Sequence, residues 1–219
     1  MSARSLTLWF DFISPYAYFA WKQAPAFAAK HGLQLDARPV LFAALLNHWG
    51  QLGPAEIEPK RLYTFKHCVR RAARLKLPFG LPPAHPFNPL LSLRIAALEH
   101  DADTRTRIID AFFDATWGGG GGVDTPERVS AVLDGLGLDA AELIARASAP
   151  EHKSRFRKSN EDAIARGLFG VPTMCVDDEL YWGSDAFDDL ADRLAGRDPV
   201  VGSAWEQVRD LPVGANRRG

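Results

Sequence analysis

Leu6-Thr7-Leu8-Trp9-Phe10-Asp11-Phe12-Ile13-Ser14-Pro15-Tyr16-Ala17 is the stretch that decides the fold. Leu6 to Phe12 is β-rich and apolar on both faces, the pattern of a strand buried in a parallel or mixed sheet. The character then changes: Ser14 reads as an N-cap and Pro15 as the first helical residue, where a missing N–H leaves nothing unsatisfied. Tyr16 to Lys30 continues as an apolar-rich helix ended by His31-Gly32, and Leu33 to Leu41 reads as a second strand. Such an opening predicts an α/β domain whose first helix begins at the C-terminal edge of the sheet, where open α/β sheets bind ligands.

Outward from this unit, apolar spacing predicts helices near 57–76, 88–100, 103–117, 125–135, 139–147 and 151–168. Strand character returns from Gly170 to Trp182, as Met174-Cys175-Val176 and Glu179-Leu180-Tyr181-Trp182 around an Asp177-Asp178 turn, and a short helix follows over 185–194. A βαβ unit, a helical block and a ββα unit in that order form the thioredoxin arrangement. The expected fold is therefore α/β, a thioredoxin-like mixed sheet carrying a large all-helical insertion. Its expected domains are 5–54 with 169–196 for the sheet, 55–168 for the helices, and 197–219 as an irregular tail with one helical turn near Trp205. Gly118 to Gly122 lacks the GK[ST] ending of a phosphate-binding loop and reads as a linker or backbone-exposing loop.

Composition narrows the function classes. The chain has 219 residues, and 26 Lys and Arg against 27 Asp and Glu give a net charge of -1, so no global attraction to nucleic acid or anionic membrane is expected. The basic cluster Lys60, Arg61, Lys66, His67, Arg70, Arg71, Arg74 and Lys76 accordingly reads as a solvated helix face. Apolar runs such as Leu41 to Leu46 fall far short of the roughly 20 residues that span a bilayer. Met1 to Ser5 leads straight into the first strand without the apolar region of a secretory signal, which points to the cytoplasm. Cys68 and Cys175 form neither a CxxC pair nor a zinc-ligand cluster; they read as small apolar residues, and no metal is expected.

In a redox thioredoxin the first helix would start with CxxC, because the helix dipole and free amides depress a thiol pKa there. The slot here reads Ser14-Pro15-Tyr16-Ala17, which rules out dithiol chemistry and leaves a hydroxyl that can donate to an anion. Lowering a bound thiol from about 8.5 to about 6.5 takes roughly 2.7 kcal/mol of thiolate stabilisation, within reach of one or two such hydrogen bonds plus the dipole. Ser before Pro is equally an ordinary N-cap, and the two roles are compatible. In Gly170-Val171-Pro172-Thr173 the proline reads either as an edge-strand residue or as a cis Val-Pro bond that turns the Val171 amide and carbonyl toward an extended peptide. Trp182-Gly183-Ser184-Asp185 reads either as a helix cap or as a seat for a carboxylate, with Asp185 accepting from an amino group. Together the three motifs describe a site for a small thiol peptide ending in an amino acid moiety, with glutathione the candidate.

At this point the chain resembles the 2-hydroxychromene-2-carboxylate isomerases and their relatives the kappa-class glutathione transferases, which are DsbA-like in fold. The resemblance is carried by Asp11 to Tyr18, Pro82-Pro83-Ala84-His85-Pro86-Phe87-Asn88, Phe112 to Gly118, and Phe169 through Asp185. It implies that Ser14 holds the glutathione sulfur, that Val171 with Pro172 pairs with the tripeptide backbone, and that Trp182, Gly183, Ser184 and Asp185 hold the γ-glutamyl end. It also implies a homodimer, a conjugated or aromatic keto-acid substrate, and glutathione as a regenerated cofactor of cis-trans isomerisation. Leu46 and Gln51 stand where well-studied members carry a lysine and an asparagine. Gln51 can replace the amide contact, and His85 and Asn88 are further candidates on the substrate side. Two other outcomes stay open: a kappa-like transferase that releases a thioether, and a non-catalytic thioredoxin-like peptide-binding module.

Overall fold

A computed structural model describes residues 4–200 and 203–214 of the chain. Four strands, β1 (Ser5–Phe10), β2 (Gln34–Pro39), β3 (Thr173–Val176) and β4 (Glu179–Trp182), form one sheet in the order β2-β1-β3-β4. β2 runs parallel to β1, and the pairs β1–β3 and β3–β4 are antiparallel, with Leu8 opposite both Ala37 and Met174. The parallel pair needs a crossover, supplied by helix α1 (Pro15–Lys30). The hairpin between β3 and β4 turns at Asp177 and Asp178, at φ 52° and 62°, the handedness that matches the twist of paired strands.

β1 is buried on both faces, as its sequence predicts. Leu6, Leu8 and Phe10 join a core with Phe12, Phe19, Trp21, Phe112 and Phe113, while Trp9 joins a second one with Val40, Leu45, Leu168 and Val171. Between β2 and β3 the chain is helical: α2 (Phe42–Trp49), α3 (Glu58–Leu75), α4 (Leu90–Ala96), α5 (Ala102–Trp117), α6 (Pro126–Gly135), α7 (Ala140–Ser148) and α8 (Pro150–Ala165). Asp101, Thr125 and Asp139 cap α5, α6 and α7 by accepting from the amides of Thr104, Arg128 and Glu142. No helix among the described residues is long and apolar enough to cross a membrane.

Several expectations need correction. α2 lies in a segment that carries no helix-start signal, because its first amides are served from far along the chain. Asn160 Oδ1 accepts from Leu41 N at 2.6 Å and Asp11 Oδ2 from Phe42 N at 2.8 Å. α4 is shorter than 88–100, starting only after Pro89, and α8 stops at Ala165, ahead of Gly167 at φ +87°. Gly118 to Gly122 is no simple linker: a Cβ on Gly80 would stand 2.7 Å from Gly119 Cα, so two backbone segments touch there. After helix α9 (Phe187–Leu194) the helical turn expected near Trp205 is present and runs longer, as the seven-residue helix α10 (Ser203–Arg209). The leader reading of Met1 to Ala3 and the tail reading at 201–202 and 215–219 lie outside the described residues.

Candidate functional site

Ser14 is 7% exposed at the C-terminal end of β1 and caps α1, its Oγ accepting from Ala17 N at 3.2 Å. Across the sheet Val171 O lies 3.4 Å from the same Oγ, so the loop before β3 comes directly over the start of α1. The Val171–Pro172 bond is cis. Among the described residues nothing accepts from the Val171 N–H, and it stands as a free donor beside Ser14. Pro172 O in turn accepts from Gly183 N at 2.9 Å, which ties the β4–α9 turn to the same loop. The structure thus brings Ser14, Val171, Pro172 and the 182–185 turn together from three separate parts of the chain.

Within that turn Trp182 is 58% exposed and its ring lies over Gly170, where a Cβ would stand 2.6 Å from the indole Nε1. Gly183 sits at φ +109°, with Asp185 Oδ1 only 2.6 Å from where its Cβ would be. The capping role open to Ser184 and Asp185 is not taken: Ala186 is the N-cap of α9 and no side chain bonds there. That leaves the Asp185 carboxylate available to a ligand.

Two residues under the site were not singled out from the sequence. Asp11 is completely buried, with Ile13 N donating to Oδ1 and Phe42 N to Oδ2, and burial pushes its carboxyl up to about 7. Tyr16 donates to or accepts from His67 Nδ1 at 2.8 Å, and burial holds its phenol well above the usual range, with Cys68 and Asp185 adding to the effect. Asp11 lies inside the stretch that decides the fold, but nothing local in a single Asp shows that it will be buried.

His85 lies against the residue before Ser14. Its Nε2 lies 3.0 Å from Ile13 O, and since a carbonyl only accepts, Nε2 carries the proton and Nδ1 keeps a lone pair. That Nδ1 is buried without a partner among the described residues, and burial lowers the ring's pKa, so the imidazole is neutral at pH 7. Gln51 and Asn88 are not drawn in by any hydrogen bond: both are exposed, Gln51 just beyond the Gly50 end of α2 and Asn88 with its Oδ1 accepting from Leu90 N. The solvated-face reading of α3 holds for Lys60, Lys66, Arg70, Arg74 and Lys76, which are exposed. It fails for His67 and Arg71, which are half-buried and bonded across to Tyr16 and to Ser184 O. A cavity of about 450 Å³ lined by Trp9, Arg38, Arg105, His152 and Phe156 contains none of the expected site residues. Cys68 and Cys175 are both free and buried.

With this geometry in hand, the comparisons with known proteins are consistent along the chain. The family model for the DSBA-like thioredoxin domain matches residues 5–195. The 2-hydroxychromene-2-carboxylate isomerase of Sphingobium xenophagum is 28% identical over 193 residues, covering 87% of this chain and 98% of the relative. Glutathione S-transferase kappa 2 of Caenorhabditis elegans is 27% identical over 214 residues, covering 90% and 94%. Among solved structures, a 2-hydroxychromene-2-carboxylate isomerase superposes with a TM-score of 0.79 at 25% identity, covering 95% of this chain and 99% of that one. The resemblance read from the residues agrees with these matches.

Proposed function

Since the chain belongs to the DSBA-like thioredoxin domain family, we propose that it is a glutathione-dependent isomerase of the 2-hydroxychromene-2-carboxylate isomerase type, acting on a conjugated keto acid. The observation that carries this reading is the Ser14 hydroxyl at the start of α1, 3.4 Å from Val171 O, where a redox relative would hold a dithiol. The residues present fit glutathione. Among the described residues the Val171 N–H and the Asp185 carboxylate have no partner, so the one suits an extended peptide and the other an amino group, and Ser14 offers a donor beside the amides of a helix start.

When bound, glutathione supplies a thiolate whose reversible addition to the conjugated carbonyl compound turns a double bond into a rotatable single bond. Ser14 Oγ–H holds the sulfur as its anion by donating to it, helped by the positive end of α1. Val171 N–H fixes the tripeptide against the loop before β3, and Trp182 covers it from the exposed side. His85 Nδ1, Gln51 and Asn88 are the polar groups proposed for the substrate side. A homodimer in the cytoplasm completes the reading, and exposed Leu62, Tyr63 and Val69 on α3 provide apolar surface for the second copy.

The kappa-class relative favours one second reading, a transferase that releases the thioether. Both are tested by following the absorbance of 2-hydroxychromene-2-carboxylate as it equilibrates with trans-benzylidenepyruvate, with and without glutathione, for wild type and Ser14→Ala. Conversion that needs glutathione, leaves its concentration unchanged and collapses in the variant supports the isomerase. Stoichiometric consumption of glutathione supports the transferase instead. Equal rates with and without glutathione would remove both.

A further inference from the structure

One face of the sheet is left to a cavity that holds none of the residues of the Ser14 site. Residues two apart on a strand share a face, so Asp36 and Arg38 of β2 project on the same side, and the parallel register sets Arg38 beside Trp9 of β1. These three side chains form one wall of the cavity of about 450 Å³, and α8 supplies most of the other. Its apolar lining is Trp9, Pro39, Phe156 and Ala163, all buried, with Ala97 half-buried. The volume is that of a small-molecule site, and a lining of this kind suits a ring.

The charges around it almost all cancel. Arg38 is taken up by Asp36 at 2.7 Å, Arg155 by Glu99 at 3.7 Å, Arg166 by Asp178 at 3.8 Å, and Asp162 by Lys158 at 3.2 Å. His152 Nε2 donates to Arg94 O at 2.7 Å and burial lowers the ring's pKa, so it adds no charge. Arg105 of α5 is the exception. It is half-buried, makes no ion pair among the described residues, and only its Nε is enclosed; the two terminal nitrogens bond nothing there and stay open at the cavity wall. A guanidinium so placed keeps two parallel N–H groups for a carboxylate. One uncompensated cation matches one negative charge, and the three acids beside it repel a polyanion such as phosphate.

We infer that this cavity binds a small aromatic monocarboxylate, with the carboxylate on the terminal nitrogens of Arg105 and the ring against Trp9 and Phe156. The site is separate from the glutathione reading and stands without it. Trp9 and Ala163 also pack in the core that holds Val171, so the ligand rests on the same cluster that positions the loop over Ser14.

The test is calorimetric binding of 2-naphthoate, its uncharged isostere 2-naphthamide, acetate and inorganic phosphate to wild type, Arg105→Gln, Arg105→Lys and Ala97→Phe, the last of which fills the cavity. Wild type is expected to bind 2-naphthoate about 10- to 100-fold more tightly than any of the other three probes. Arg105→Gln is expected to bring naphthoate down to the affinity of naphthamide, with Arg105→Lys between the two, and Ala97→Phe to weaken both naphthalene probes by about 10-fold or more. Naphthoate binding that is unchanged in both Arg105→Gln and Ala97→Phe would place the ligand elsewhere, the Ser14 site included, and would overturn the assignment while leaving the glutathione reading intact. A wild type that binds naphthoate and naphthamide alike, binds phosphate as tightly, or binds none of the probes would overturn it too. Urea unfolding of each variant confirms that a folded protein is being compared, and Ala97→Phe decides alone if Arg105→Gln does not fold.

Discussion

Replacing Asp11 by asparagine should change stability in opposite directions at low and high pH. The carboxyl is fully buried and is pushed from its ordinary 3.8 to about 7 by the loss of water, against the pull of the Ile13 and Phe42 amides. Below 3.8 the folded and unfolded chains both hold the proton, and the full stability is present. Between 3.8 and 7 the unfolded chain ionises while the native one does not, so stability falls as pH rises, at about 1.36 kcal/mol per pH unit. Above about 7 the native carboxyl ionises too and the slope vanishes. From pH 5 to pH 8 the loss through this one group is on the order of 3 kcal/mol. The Asp11→Asn variant has no such loss, but its side-chain NH₂ faces one of the two backbone donors, a mismatch that costs about 1–3 kcal/mol at every pH. The variant should therefore gain on wild type by about 3 kcal/mol between pH 5 and pH 8, and be the more stable of the two at pH 8. Urea unfolding at both values reads the difference directly, provided the transitions stay two-state with equal slopes. A difference between variant and wild type that is the same at pH 5 and pH 8 would show that Asp11 is ionised throughout, held so by its two amide donors.

The same structure makes other outcomes definite. Ser14→Ala should raise the pKa of the bound glutathione thiol by about 1–2 units, the worth of one charge-assisted hydrogen bond, as read by thiolate absorbance against pH; an unchanged value would place the sulfur elsewhere. Asn160→Ala removes the acceptor that Leu41 N uses at the start of α2 and should destabilise the protein by about 1–3 kcal/mol in urea. A change below about 0.5 kcal/mol would mean that α2 does not depend on this tie. Cys68, fully buried with its thiol pushed up to about 12, should resist a thiol reagent at pH 8 in the native protein and react at once in urea, whereas rapid native labelling would contradict its burial.

Much of this protein can be read from local chemistry. The doubly apolar strand, the Ser14-Pro15 start of α1, the Asp177-Asp178 turn and the capping residues of α5 to α7 all act on neighbours a few residues away, so their meaning survives without a tertiary structure. The order of elements then places Ser14 opposite Val171, because a β2-β1-β3-β4 sheet allows little else. What escaped was decided by partners distant in sequence. α2 is started by Asp11 and Asn160, 31 and 119 residues from the amides they accept, and the sequence around Phe42 holds no cap to announce it. Arg71 looks like its solvated neighbours on α3, and only the approach of the β4–α9 turn, 113 residues on, turns it inward. Gln51 and Asn88 show the converse, polar residues with suitable chemistry that the fold leaves in water. Sequence by itself determined which residues could act locally on an anion or a peptide. Tertiary packing alone decided which charges lost their water, and with it which groups have their pKa displaced and which are left without a partner.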